Sequence, residues 1–131
     1  MTRGIIPKCP QESGYLQDAK YSFDALGDKS FIKLKKIAKH ASLFHQQTSY
    51  IDKKILPFMY DNGLFTGSDH WVGGLEWLEQ DTEDKVKRLD LGNTLILLTS
   101  ALAKDDDKGA DYWYRSGITA QLLKHLVQLR G

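Results

Sequence analysis

Ser30-Phe31-Ile32-Lys33-Leu34-Lys35-Lys36-Ile37-Ala38-Lys39-His40-Ala41-Ser42-Leu43-Phe44 is the stretch that decides the fold. Phe31, Leu34, Ile37, Ala38, Ala41 and Phe44 recur at steps of three and four, which lays one apolar stripe along an α-helix. Ser30 is placed to cap that helix, its hydroxyl oxygen accepting from a first-turn N–H. Such a helix gains most of its stability by burying the stripe against other elements, so the rest of the chain must supply them.

Working outward, the same period continues in both directions. Upstream, Leu16, Ala19, Phe23 and Leu26 predict a helix over 15–26, stopped by Gly27. Residues 1–14 carry Gly4, Pro7, Pro10 and Gly14 and read as an irregular arm. Downstream, Thr48 or Ser49 can cap a helix over about 49–61 that carries Ile51, Ile55 and Met59 inward. Pro57 should bend it, and Gly63 should end it at positive φ. A turn at Thr66-Gly67-Ser68 leads to a short helix capped by Ser68 or Asp69, bearing Trp71, Val72, Leu75 and Leu78. Thr82 opens a longer segment with Val86, Leu89, Ile96, Leu97, Ala101 and Leu102 as its apolar positions. Asp90 and Asn93 interrupt it, either as buried groups that hydrogen-bond a neighbour or facing solvent at a turn near Gly92. After a loop at Asp105-Asp106-Asp107-Lys108-Gly109, a last helix begins between Ala110 and Ser116 and carries Ile118, Leu122, Leu123, Leu126 and Leu129. The only strand candidate, Leu95 to Thr99, has flanks that continue the helical pattern. The expected fold is therefore all-α, a compact bundle of five or six helices over 15–131.

The chain has 131 residues, with 41% hydrophobic and 27% charged positions, which suits one domain able to bury its own core. One cysteine, Cys9, excludes an internal disulfide framework and a multi-cysteine zinc site. No apolar run approaches the ~18 residues of a membrane helix, and the first residues lack a signal-peptide core. The expectation is a cytoplasmic protein without membrane contact.

A net charge of +1 conceals a dipole. Lys29, Lys33, Lys35, Lys36, Lys39, Lys53 and Lys54 face one acid, Asp52, a local balance of +6, while 76–111 carries ten acids against five bases. Lys29, Lys33, Lys36 and His40 fall on one face opposite the apolar stripe, and Lys35 and Lys39 widen it. Such a face can neutralise phosphates of a nucleic-acid backbone, meet an acidic protein, or simply solvate the helix. The consecutive aromatics Tyr112-Trp113-Tyr114 beside Arg115 point around a helix, so some of them must leave the core. Tyr112, Tyr114 and Arg115 are candidates for stacking on bases or for a protein contact.

Catalytic and metal-binding constellations are missing. His40 and His45 are five apart, on different helix faces, and His70 and His125 are isolated. The three aspartates at 105–107 lack the spacing and closing glutamate of a calcium loop. Gly73-Gly74 has no phosphate-loop context, no Gly-x-Ser-x-Gly elbow occurs, and Cys9 has no neighbouring base. The expectation is no enzyme activity, no cofactor and no metal.

Three segments carry a family resemblance. Leu16-Gln17-Asp18-Ala19-Lys20-Tyr21 resembles the Ala-centred first helix of the small α-helical subunit of type III-B CRISPR effector complexes, the Cmr small-subunit family. Leu56-Pro57-Phe58-Met59-Tyr60-Asp61-Asn62-Gly63-Leu64 resembles that family's Leu-Pro-x-Met…Asn-Gly-Leu helix end. The closing stretch with Tyr112, Thr119, Leu123, Leu126, Leu129 and Arg130 is similar to its final helix. The stretch from Pro57 to Asn62 is one residue shorter than in the family, and Phe65-Thr66-Gly67-Ser68 stands in place of an apolar run. Gln128 and Gly131 stand where the family has a tryptophan and a second basic residue. The resemblance implies a non-enzymatic subunit of an RNA-guided complex that stacks on its own kind and runs a basic face along RNA. Two classes of function thus follow: a nucleic-acid-binding module, RNA favoured, within a larger complex, or a small protein-interaction factor such as an inhibitor, immunity or accessory protein. The opposed charges of the two halves also allow head-to-tail self-association.

Overall fold

The structure, a computed structural model, describes residues 14–66, 72–103 and 109–130. In chain order these form α1 (Gly14–Asp24), α2 (Asp28–Leu43), a π-helical segment (Ile51–Ile55) running into α3 (Leu56–Asp61), then α4 (Val72–Leu78), α5 (Thr82–Val86), α6 (Leu91–Leu102), α7 (Gly109–Arg115) and α8 (Ile118–Arg130). No strand occurs among the described residues. Residues 1–13, Cys9 included, lie outside them, as do 67–71 with His70 and Trp71, and the acidic run 105–107.

The all-α class is as expected, but the described residues hold eight α-helices and a π-helical segment rather than five or six helices. Two long segments are broken, each by identifiable local chemistry. The helix expected from Thr82 onward stops at Val86 and restarts at Leu91. Asp90 adopts an extended conformation there, its Oδ1 accepting from the Asn93 N–H at 2.8 Å. Asp90 is thus an exposed N-cap, and its own carbonyl accepts from the Thr94 hydroxyl at 2.7 Å. The closing helical run is broken at Gly117, whose φ of +89 is open to glycine at little steric cost, separating α7 from α8. The N-terminal helix starts at Gly14, within the stretch assigned to the arm.

Ser30 does not cap α2; that helix starts two residues earlier, at Asp28, with Gly27 as its N-cap and no side-chain cap bond. The chain is helical over 49–61, as the pattern predicts, with Ile51, Ile55 and Met59 buried and Lys53 and Lys54 exposed. The adjustment near Pro57 takes the form of a hydrogen-bond register change. Leu56 N–H bonds back to the Ile51 carbonyl, five residues away. Pro57 then occupies the first turn of α3, immediately after that change of register.

Packing centres on α6, which touches α1, α4, α7 and α8, while α2 lies mainly along α8. Buried Leu34, Ile37, Ala38 and Ala41 carry α2 into this core, and Phe31 packs half-buried at its edge. Gly63 ends the 49–61 helix at φ +66, as its sequence context predicts, and a Cβ there would lie 3.0 Å from Ser22 Oγ. Gly63→Val places a β-branched residue in the left-handed region and should cost about 2 kcal/mol or more, read from the urea midpoint. Gly27→Ser should act oppositely: nothing lies within 4 Å of the added Cβ, and the new hydroxyl can cap α2. A gain of a few tenths of a kcal/mol is expected, and a loss would show that the cap argument fails.

Candidate nucleic-acid interface

All five lysines of α2 are exposed, as are Lys53 and Lys54. The tertiary structure does not leave them on one continuous face. Lys33 and Lys36 from α2 meet Lys53 and Lys54 from the 51–61 segment around a groove of about 580 Å³. Ser30, Ile37, Tyr50, Pro57 and Phe58 also line it, with Asp61 and Asn62 from the C-terminal end of the 51–61 segment. Lys35 and Lys39 instead border a second groove of about 380 Å³ with Lys124 of α8, over Ala38, Leu43 and Val127. The division follows from helical geometry, since Lys35 lies about 100° around the axis from Lys36. Lys29 lines neither groove. The single widened face therefore resolves into two basic-rimmed grooves separated by the ridge of α2.

His40 departs further from the expected face. Its ring turns inward, stacked on Tyr50 with centroids 3.8 Å apart and planes 19° from parallel, and 4.8 Å from the Phe44 ring. His40 Nε2 is buried without a hydrogen-bond partner. The stack props Tyr50 at the groove wall. Phe31 is engaged too: Lys35 Nζ lies 5.1 Å from its centroid and the Arg130 guanidinium 4.8 Å.

The aromatic candidates on α7 are corrected by burial. Tyr114 is fully buried, its hydroxyl turned toward the Phe44 carbonyl at 3.4 Å, so it cannot stack on a base. Trp113 is fully buried beside it. Tyr112 is 38% exposed and donates its hydroxyl to Glu79. Arg115 is exposed, and its carbonyl is bonded by His45 Nδ1 at 3.0 Å. None of these residues lines either lysine groove. Of the two broad classes of candidate, four of the seven lysines meet at one groove and the α7 residues do not join them.

Sequence reasoning missed Tyr50, Pro57 and Phe58 as groove residues. The available signal was a proline inside an amphipathic segment, three residues after the lysine pair Lys53-Lys54. Lys124 was also missed, because one cation among Leu122, Leu123 and Leu126 reads as a solvated position.

His125 is buried on α8 and its Nε2 lies 2.7 Å from the Leu89 carbonyl. A carbonyl only accepts, so Nε2 carries the hydrogen. Among the described residues no three His, Cys, Asp or Glu side chains form a group able to hold a metal ion. No described helix is long and apolar enough to cross a membrane.

Burial raises the pKa of the Tyr50 phenol above 10.0. The Tyr114 phenol is raised as well, first by burial and then by the negative charge that an ionised Tyr50 places nearby. Folding thus favours both neutral phenols. Their contribution is fully present below the unfolded value of 10.0 and is lost as pH rises through the higher folded values. Urea titrations between about pH 8 and 11 should show stability falling above pH 10, and falling less in Tyr114→Phe than in the parent chain. Equal slopes for the two would refute the linkage.

Comparison with protein families, with curated proteins and with solved structures finds no match for this chain.

Proposed function

We propose that this chain is a non-catalytic helical module that binds a nucleic-acid backbone, RNA by preference, along the groove between α2 and the 51–61 segment. The observation that carries this reading is the meeting of Lys33 and Lys36 with Lys53 and Lys54, cations from two separate elements, around one groove. Lysine ammonium groups are mobile point charges suited to phosphate oxygens, and their convergence raises the local potential above that of a scattered surface. The resemblance of the 16–21, 56–64 and C-terminal segments to the Cmr small-subunit family is the reason for favouring RNA. It also favours a place as a small subunit of an RNA-guided ribonucleoprotein complex in the cytoplasm, with copies stacking head to tail.

A second reading, a small protein-interaction factor, is favoured by the groove between α2 and α8. Its aliphatic floor of Ala38, Leu43 and Val127 under Lys35, Lys39 and Lys124 suits an acidic amphipathic helix better than a phosphodiester. Pull-down from the native host separates the readings: ribonucleoprotein components support the first, and a single enzyme or toxin the second.

The direct test is anisotropy of a labelled oligonucleotide at 50 and 200 mM salt. Affinity should fall steeply with salt, because each neutralised phosphate releases counterions. Neutralising Lys36 or Lys54 should weaken binding and lower the log–log salt slope by about 1 each, whereas Lys87→Ala, at an exposed position beyond α5, should change neither. Absence of binding at both salts, or binding unaffected by Lys33, Lys36, Lys53 and Lys54 changed together to Glu, refutes the proposal.

A further inference from the structure

We infer that the groove between α2 and the 51–61 segment takes a single strand with a base against its floor, in preference to a duplex. This inference rests on the nucleic-acid reading of the same groove. Its basis is the contrast between rim and floor. Lys33 and Lys36 on α2 and Lys53 and Lys54 on the 51–61 segment are exposed, whereas half-buried Tyr50 and buried Phe58 line the same groove beside exposed Pro57.

A duplex hides the π-faces of its bases in its own stack and offers phosphates and groove edges to a protein. Docked on the lysine rim, it would leave the aromatic and proline surface below without a partner. A single strand presents phosphates and unstacked bases together. Cations on both sides can follow its backbone while a base packs against Tyr50, the combination found in grooves that hold single strands. A volume of about 580 Å³ falls in the range of clefts that enclose small ligands, roughly 300–1,000 Å³, which is room for a base and its sugar.

Tyr50 is prepared for this role by its surroundings. One face of its ring is already covered by His40 at 3.8 Å, so the ring is held before any ligand arrives. A phenol carries no charge at neutral pH, so nothing on this ring opposes the phosphates. Among the described residues that line the groove, Asp61 is the one carboxylate. It repels a phosphodiester at that end, so a strand's phosphates should sit toward the lysine-rich portion.

The experiment compares four fluorescein-labelled probes of equal length at 50 mM salt: a single-stranded RNA, the corresponding DNA, the RNA duplex, and an abasic deoxyribose-phosphate strand. The single strands should bind on the order of ten-fold more tightly than either the duplex or the abasic strand. Tyr50→Leu, which keeps an apolar side chain but removes the ring, should reduce that advantage to near parity while leaving abasic binding unchanged. Asp61→Asn should tighten all four probes. Circular dichroism and a urea midpoint establish that Tyr50→Leu is folded, and Phe58→Leu serves as a second floor variant should it unfold.

If the duplex or the abasic strand binds as tightly as the single strands, and lysine substitution weakens all of them, the single-strand inference is overturned and the backbone reading stands. If no probe binds, both fall. A difference between the RNA and DNA strands identifies which sugar the groove accepts; equal affinity supports recognition of phosphate and base alone.

Discussion

The burial of α6 on every side is the constraint from which the rest of the architecture follows. Ten of its twelve residues, from Gly92 to Leu102 with Asn93 as an exception, are buried. A helix that is apolar around its whole circumference has no side to give to water and must be enclosed. The enclosure comes from α1, α4, α7 and α8. Each of those is short or amphipathic, so each gains its own stability by the same contact. Removing a large side chain from this centre, such as Leu95, Leu97 or Trp113, would open a cavity worth several kcal/mol, on the order of the whole stability of a small domain.

Enclosing a helix requires that the buried backbone groups at its ends find partners, and the junction before α6 shows how. The Asn93 N–H, which would ordinarily reach back to Leu89, is taken by the Asp90 carboxylate. The Leu89 carbonyl is then left to find another donor, and His125 on α8 supplies it at 2.7 Å. A similar device operates at the opposite side of the core, where Thr99 Oγ1 accepts from the Thr66 N–H at 3.0 Å and donates to the Leu95 carbonyl at 2.9 Å. These polar fasteners tie loops to the core where helical bonds are interrupted, and a buried histidine is part of the scheme.

The basic grooves are a consequence of how α2 is laid on that core. Its contact with α8 fixes which arc of the helix is covered, and the remaining arc is divided by the neighbours on either side. The 51–61 segment stands along one flank and α8 along the other, so lysines separated by a single residue serve different grooves. The register change from π to α at Leu56 lets the segment keep Ile51, Ile55 and Met59 inward through a proline. Lys53, Lys54 and Pro57 are thereby all directed outward, onto the groove. Charge at the rim and apolar surface at the floor therefore arise from one packing solution.

Periodicity alone determined the all-helical class, the buried faces of the segments at 31–44 and 49–61, and the positive φ at Gly63, because those depend on residues three or four apart and on the special freedom of glycine. The exposure of the seven lysines was legible for the same reason: an amphipathic helix has only one side to hide. The break at Asp90 was legible only as one of two alternatives, and the break at Gly117 was not legible. Both lie within continuous apolar periodicity, and a cap or a left-handed turn wins there only when the core rewards two differently oriented helices over one straight one. The burial of Tyr114, the inward turn of His40, and the division of Lys33 and Lys36 from Lys35 and Lys39 are likewise tertiary outcomes. A sequence specifies the angle of each side chain around its own helix, but the rotation of that helix against its neighbours is set by the packing of distant residues. At α2 that packing places the boundary between one groove and the other so that Lys33 and Lys36 fall on one side and Lys35 and Lys39 on the other.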